Sequence, residues 1–428
     1  MDSSTSLPPP PPPHVVLVAS PFAGHVMPMA ELARRLVAHH GCAATLVTFS
    51  HLRELLRSIG HGGGGGVAAL VPDFFCGVAL DLAVELGVPG YIFVPSNVAF
   101  LSLVRSFVEL HDGAASGEYR DFPCPHRLAE DVTIRVADMP DAYMDTSNPA
   151  FGLLLEEGRR YRRADGFLVN SFAEMEPTIV EEYKKAAEQG AFPPVYPVGP
   201  CVRSSSDEAS ESACLKWLDR QPAGSVVYVS FGSAGKLSVE QTRELAAGLE
   251  MSGHRFLWVV RMPSLDSETY DFGTVHRDDD DRGGGGDHDD DPLEWLPDGF
   301  LERTRSRGLA VASWTPQVRV LSHPATAAFV SHCGWNSTLE SVSAGVPMMA
   351  WPLFAEQSVN ALILTEVGVA LRPAAARGGD GVVKRHEVVA AVKELMDPGE
   401  KGKTARRRAR ELQAAAARAR SPDGASYW

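Results

Sequence analysis

Apolar runs of strand length recur along this chain, each followed by a stretch with helical periodicity, and the alternation unfolds twice. The first series comprises His14–Ser20 (HVVLVAS), Ala43–Phe49 (AATLVTF), Val67–Val71, Tyr91–Val94 and Gly166–Asn170 (GFLVN), with helical segments at Met29–His40, Leu52–Ser58 and Val78–Leu86. The second comprises Ser225–Ser230, Arg255–Val260, Gly308–Ala312, Ala327–Ser331, Val346–Ala350 and Val369–Arg372, with helices at Val239–Met251, Ser337–Val342, Gln357–Glu366 and Arg385–Met396. Strands that are apolar throughout, rather than in alternation, are buried on both faces, as in a parallel sheet covered by helices. A length of 428 residues exceeds what one core usually serves. The expected fold class is α/β: two doubly wound units facing across a cleft, with ligands beyond the carboxyl ends of the strands.

The boundaries follow from where periodicity lapses. Residues 1–13, with prolines from Pro8 to Pro13, read as a disordered N-terminus, 14–200 as the first domain, 201–223 as a linker and 224–428 as the second domain. Between Leu265 and Trp295, twelve carboxylates face two arginines, so this stretch holds ten of the chain's fourteen net negative charges. A glycine tract, Gly283–Gly286, interrupts it, and no apolar pattern would fix a metal geometry, so it reads as a solvated, mobile loop. The basic run Lys401–Arg420 alternates with alanine and lacks an aromatic platform, which fits a solvated helical face and not nucleic-acid binding.

Six scattered cysteines contain no C-x-x-C pair, so neither a zinc site nor a bridged framework is expected, and the thiols read as reduced. No apolar run approaches 18 residues and no secretory signal precedes the first strand. The expectation is a cytoplasmic monomer with no membrane anchor.

Ser331-His-Cys-Gly-Trp-Asn-Ser337 follows a strand and opens a helix, a position that favours an anion through free backbone N–H groups and the helix dipole. Ser337 with Glu340 also has the spacing of a capping box, but a cap does not account for His332, Trp335 and Asn336 in the same turn. Neighbouring strand ends carry Trp314 with Gln317, and Trp351 through Glu356 and Gln357: an indole face for a base, a carboxylate and amide for sugar hydroxyls. The turn Ser230-Phe-Gly-Ser233 lacks the G-x-G-x-x-G spacing of a dinucleotide site, which disfavours a nicotinamide enzyme.

The block Trp314–Gln357, WTPQVRVLSHPATAAFVSHCGWNSTLESVSAGVPMMAWPLFAEQ, resembles the signature box of plant UDP-dependent glycosyltransferases of secondary metabolism. Similarity extends to PFAGH, DFFCGVALDLAVELGVP, YPVGP and CLKWLDRQPAGSVVYVSFGS, and within the family it leans toward phenol and hydroquinone glucosyltransferases. The resemblance implies a GT-B fold of two Rossmann-like domains, acceptor held by the first and UDP-sugar by the second. It implies that Trp314 stacks on uracil, Gln317 holds the nucleoside and Glu340 the ribose hydroxyls. His332, Asn336, Ser337 and Ser233 would contact the diphosphate; Trp335, Glu356 and Gln357 the transferred sugar, with Gln357 pointing to glucose. Transfer in this family inverts the anomeric centre and needs no metal; the only small-molecule partners implied are UDP-glucose as donor and a hydroxylated, phenolic acceptor.

The base is expected in the first domain. His25 lies in the turn after the first strand and Asp73 ends a later one, so a neutral imidazole can accept the acceptor's proton while a carboxylate fixes its tautomer. In the family the orienting aspartate usually lies further along the chain. A hydrolase triad of His25 and Asp73 with Ser20 or Ser96 is disfavoured, because no G-x-S-x-G elbow is present. Relative to the family the chain is shortened near residues 50–66 and stops at Asp423-Gly-Ala-Ser-Tyr-Trp428 without the helix that crosses back to the first domain. Two readings therefore stand: an active glucosyltransferase, or a donor-binding protein with little or no transfer activity.

Overall fold

His14–Ala19 forms strand β1, and its last four residues are completely buried, as a strand covered on both faces must be. The computed structural model describes residues 11–48, 66–112, 124–204, 212–264, 291–312, 314–373, 381–397 and 399–427, with Leu52, Glu54, Leu56 and Ile59 between the first two. The first domain continues through α1 (Ala23–His40), β2 (Ala43–Thr48), β3 (Val67–Pro72), α2 (Leu80–Leu86), β4 (Tyr91–Val94), α3 (Val98–Asp112), α4 (Pro149–Arg160), β5 (Gly166–Val169), α5 (Pro177–Glu188) and β6 (Val195–Pro197). Its strands pair in parallel in the orders β2-β1-β3 and β4-β5-β6, and bridges Leu70–Gly90 and Asp73–Phe93 join the two groups. The chain leaves β1 on one side for β2 and returns on the other as β3, so the topological switch lies at the carboxyl ends of β1 and β3. Those ends carry the His25 and Asp73 segments. β2 is the outer strand among the described residues, and its side chains are only half-buried or exposed.

The second domain comprises β7 (Val226–Ser230), α6 (Val239–Ser252), β8 (Arg255–Val260), β9 (Gly308–Ala312), α7 (Gln317–Leu321), β10 (Thr326–Ser331), α8 (Trp335–Ala344), β11 (Met348–Ala350), α9 (Gln357–Glu366), β12 (Ala370–Leu371), α10 (Arg385–Met396) and α11 (Glu400–Ala419). The six strands pair in parallel in the order β9-β8-β7-β10-β11-β12. Here the switch falls between β7 and β10, whose carboxyl ends lead into Ser230–Ser233 and His332–Ser337. Ser238 caps α6 by accepting from Gln241 N at 3.1 Å, and Gly253 ends it at φ +75°.

Several expectations need correction. The Pro21–His25 segment is not wholly a turn: α1 begins at Ala23, so His25 rides in its first turn. Ser337 and Glu340 form no capping box, because α8 begins two residues earlier at Trp335 with Gly334 as an N-cap that offers no side chain. Within 201–223, residues 213–218 are helical, with Cys214, Leu215 and Leu218 buried, so apolar packing overrides the expected linker. Of the acidic stretch, 265–290 lie outside the described residues and Pro292–Trp295 forms one short helical turn. Residues 1–10 and most of 50–65 also lie outside them. The basic run is a helical face: Ala405, Ala409, Leu412, Ala415, Ala416 and Ala419 are buried beneath it. After α11 the ring of Tyr427 lies 5.6 Å from His39 and 5.3 Å from His40, on the first domain.

Candidate active site

Pro28 leaves one carbonyl of α1 open to a partner from the second domain. Pro28 sits inside α1 without an N–H, so the Gly24 carbonyl four residues earlier loses its helical partner. Asn336 Nδ2, from the first turn of α8 in the other domain, donates to Gly24 O at 2.9 Å. The turn that presents His25 and the turn that opens α8 therefore share one cleft.

His25 Nδ1 lies 3.0 Å from Asp73 Oδ1, and the ring stacks on Phe75 at 5.4 Å and 26°. Asp73 is fully buried. Its Oδ1 also accepts from Phe75 N at 3.0 Å, while Oδ2 accepts from Ser20 N at 2.7 Å and from Ser20 Oγ. Burial acts to raise this carboxyl, but the bonds from His25 and Ser20 outweigh it and hold it below the ordinary aspartate range. An ionised Asp73 fixes the imidazole proton on Nδ1 and leaves Nε2 as the basic nitrogen. Ser20 bonds the carboxylate rather than the imidazole, which is the wrong order for a hydrolase triad.

On the second domain, α8 starts after Gly334 without a side-chain cap, an arrangement whose chemistry suits an anion. Gln317 gathers the neighbouring groups: Nε2 donates to Ser337 Oγ at 2.9 Å and to Glu340 Oε2 at 2.7 Å, and Oε1 accepts from Tyr228 OH at 3.1 Å. Trp314, three residues before Gln317, is 62% exposed. Ser233 is exposed at the end of the turn after β7. In that turn Gly232 has φ +76°, and a Cβ on Gly232 or Gly334 would stand 2.6 or 2.3 Å from the His332 ring. Both positions must be glycine for the two loops to close on that histidine.

Trp335 is buried, and its indole N–H donates to Asn170 O at 2.6 Å, another link between the domains. Gln357 is buried, and its Oε1 accepts from Leu353 N at 2.9 Å and Phe354 N at 3.1 Å. Glu356 is half-buried; burial raises its carboxyl above the ordinary range, opposed by the neighbouring His25. The two non-glycine residues with positive φ among the described residues, Cys333 at 64° and Ala355 at 52°, lie in these two loops. Backbone strain of this kind concentrates at ligand sites. The structure thus sets the His25–Asp73 pair beside Asn336, through the Gly24 carbonyl, and groups Gln317, Ser337 and Glu340 on the second domain.

The residues missed from the sequence are those that support this site: Ser20 as a partner of Asp73, Phe75 as the floor under His25, and Asn170. All three lie at or just beyond the carboxyl ends of strands already singled out, so the strand-end rule could have found them.

His332 is buried, and its surroundings push the imidazole down to about 4, so it is neutral at physiological pH. The unfolded chain then binds a proton that the folded chain refuses between its ordinary 6.5 and 4. Stability from this group is complete above 6.5 and falls by about 3 kcal/mol as pH drops to 4. Denaturant midpoints measured across that window should decline for the parent protein and decline less steeply for His332→Gln.

No helix among the described residues is long and apolar enough to cross a membrane, and these residues contain no cluster of three metal-binding side chains. The family model described as UDP-glucoronosyl and UDP-glucosyl transferase matches residues 197–403. UDP-glycosyltransferase 72B1 of Arabidopsis thaliana is 41% identical over 468 residues, covering 96% of this chain and 94% of that protein. Hydroquinone glucosyltransferase of Rauvolfia serpentina is 40% identical over 464 residues, covering 96% of this chain and 95% of its own. Among solved structures, Phytolacca americana UGT2 complexed with UDP-2fluoro-glucose and pterostilbene superimposes with a TM-score of 0.79 at 38% identity, covering 97% of each chain.

Proposed function

Since the chain belongs to the plant family 1 UDP-glycosyltransferases, GT-B enzymes that move a sugar from a UDP-sugar to a small acceptor, we propose that it transfers glucose from UDP-glucose to a phenolic hydroxyl with inversion. His25 is the base. The observation that carries this reading is the Asn336–Gly24 bond, because it sets the base-bearing turn against the mouth of α8.

The donor lies along α8 and its neighbours. Uracil stacks on the open face of Trp314, Gln317 holds the nucleoside and Glu340 accepts from the ribose hydroxyls. The uncapped N–H groups of α8, with Asn336, Ser337, His332 and Ser233, hold the diphosphate. Glu356 and the Gln357 amide face the sugar hydroxyls. Because the Trp335 indole is committed to Asn170, its contribution to the donor comes from its backbone at the helix start.

The step balances on these groups. As the acceptor oxygen attacks C1 of glucose, His25 Nε2 takes its proton, the new C1–O bond forms and the C1–O bond to UDP breaks. The imidazolium is stabilised by Asp73 and later releases its proton to solvent. The diphosphate leaves into the positive end of α8 and its polar donors, so this route calls on no metal.

Purified protein incubated with UDP-glucose and hydroquinone should release UDP and a glucoside in equal amounts. Calorimetric UDP binding with no glucoside from a panel of small phenols would instead establish the donor-binding, inactive reading. Trp314→Ala should weaken UDP about ten- to a hundredfold, the worth of one base–aromatic stack, with an unchanged melting temperature because the indole is exposed.

A further inference from the structure

Tyr143 has a hydroxyl that is buried without a hydrogen-bond partner among the described residues. The residue is 3% exposed and its ring meets Phe107 edge-on at 4.9 Å. An orphaned buried hydroxyl is unfavourable, and phenylalanine would fill the same space without one. The residue ends a short helical turn, Asp141–Tyr143, in a first-domain segment that is pinned to the second domain at two points. The Asp138 carboxylate pairs with Arg372, and the Asp138 carbonyl accepts from Ser358 Oγ at 2.8 Å. Ser358 lies in the first turn of α9, two residues beyond Glu356, so the segment rests against the part of the donor site that faces the sugar. Glu356 lies within electrostatic reach of both Tyr143 and His25.

We propose that Tyr143 is a positioning residue for the sugar end of the donor: with UDP-glucose seated, its hydroxyl donates to the Glu356 carboxylate and turns it toward the sugar hydroxyls. This rests on the reading of Glu356 as a sugar-binding residue. The partner missing in the free protein is supplied when the donor is bound, and the Asp138–Arg372 pair keeps the two residues opposed. A hydrogen bond to a charged group of this kind corresponds to about a tenfold change in donor binding.

The test compares the full-length protein with Tyr143→Phe, Glu356→Gln and the double variant. Tyr143→Phe is expected to raise KM for UDP-glucose about tenfold, leave inhibition by UDP unchanged and melt no lower than the parent. In the Glu356→Gln background, where a neutral amide oxygen replaces the charged acceptor, the same substitution should have a clearly smaller effect. KM within twofold of the parent, parallel loss of UDP inhibition, or an effect undiminished by Glu356→Gln would each overturn the proposal. Calorimetric affinities for UDP-glucose and UDP report the same difference without turnover, so a parent protein that makes no glucoside defeats the proposed function while Tyr143 is still tested.

Discussion

His25→Ala should lower kcat by about 10²- to 10⁴-fold while UDP affinity stays within about twofold of the parent. The size follows from what the imidazole is asked to do. A phenol or alcohol at neutral pH is a weak nucleophile, and removal of its proton in the transition state is the role a positioned base fills. The asymmetry follows from the structure. His25 stands on α1 in the first domain, whereas the groups assigned to uracil, ribose and diphosphate stand on the second. The hydrogen bond that joins the two turns is accepted by the backbone carbonyl of Gly24, which the substitution leaves in place. Steady-state rates with UDP-glucose and hydroquinone, together with calorimetry of UDP, check both halves. Loss of UDP affinity to match the loss of rate would remove His25 from the role of base.

Asp73→Asn should cost about 10²-fold or more in kcat and lower stability as well, although it changes one atom. Four donors converge on the carboxylate: Ser20 N and Oγ on one oxygen, His25 Nδ1 and Phe75 N on the other. An amide has a single oxygen. If its NH2 replaces Oδ1, it meets the Phe75 N–H and donates to His25 Nδ1, which moves the imidazole proton to Nε2, where it blocks proton uptake. If it replaces Oδ2, donor meets donor at Ser20 N. Either orientation leaves a buried N–H unmatched, at about 1–3 kcal/mol. Melting temperature and kcat should fall together, with UDP affinity retained. A variant with parent-like kcat would show that Asp73 is a structural anchor for Ser20 and Phe75 alone.

What the sequence made legible is what is local. The turn His332–Ser337 sits at a strand–helix junction, and Gln317 and Glu340 lie on helices that begin at or near signature residues. The doubly wound order followed from apolar runs, and with it the placement of His25 and Asp73 at one switch point. Illegible were contacts that exist only once the domains pack: Asn336 to Gly24, Trp335 to Asn170 and Arg372 to Asp138, each bridging more than 160 residues. Pro28 misled in the same way. Inside a helix it usually marks a boundary, but here the freed Gly24 carbonyl finds its partner in the other domain, so α1 starts earlier than Met29. Ser337 and Glu340 have the spacing of a cap, yet Gln317 claims both from a separate helix.

In the proposed reaction an imidazole held by one domain faces the anomeric carbon of a sugar held by the other, on the side away from the leaving diphosphate. The proton NMR coupling at the anomeric position of the glucoside made from UDP-α-glucose tests it directly. The large coupling of a β-glucoside is the predicted result; an α-glucoside, or free glucose with no glycosidic product, would contradict it.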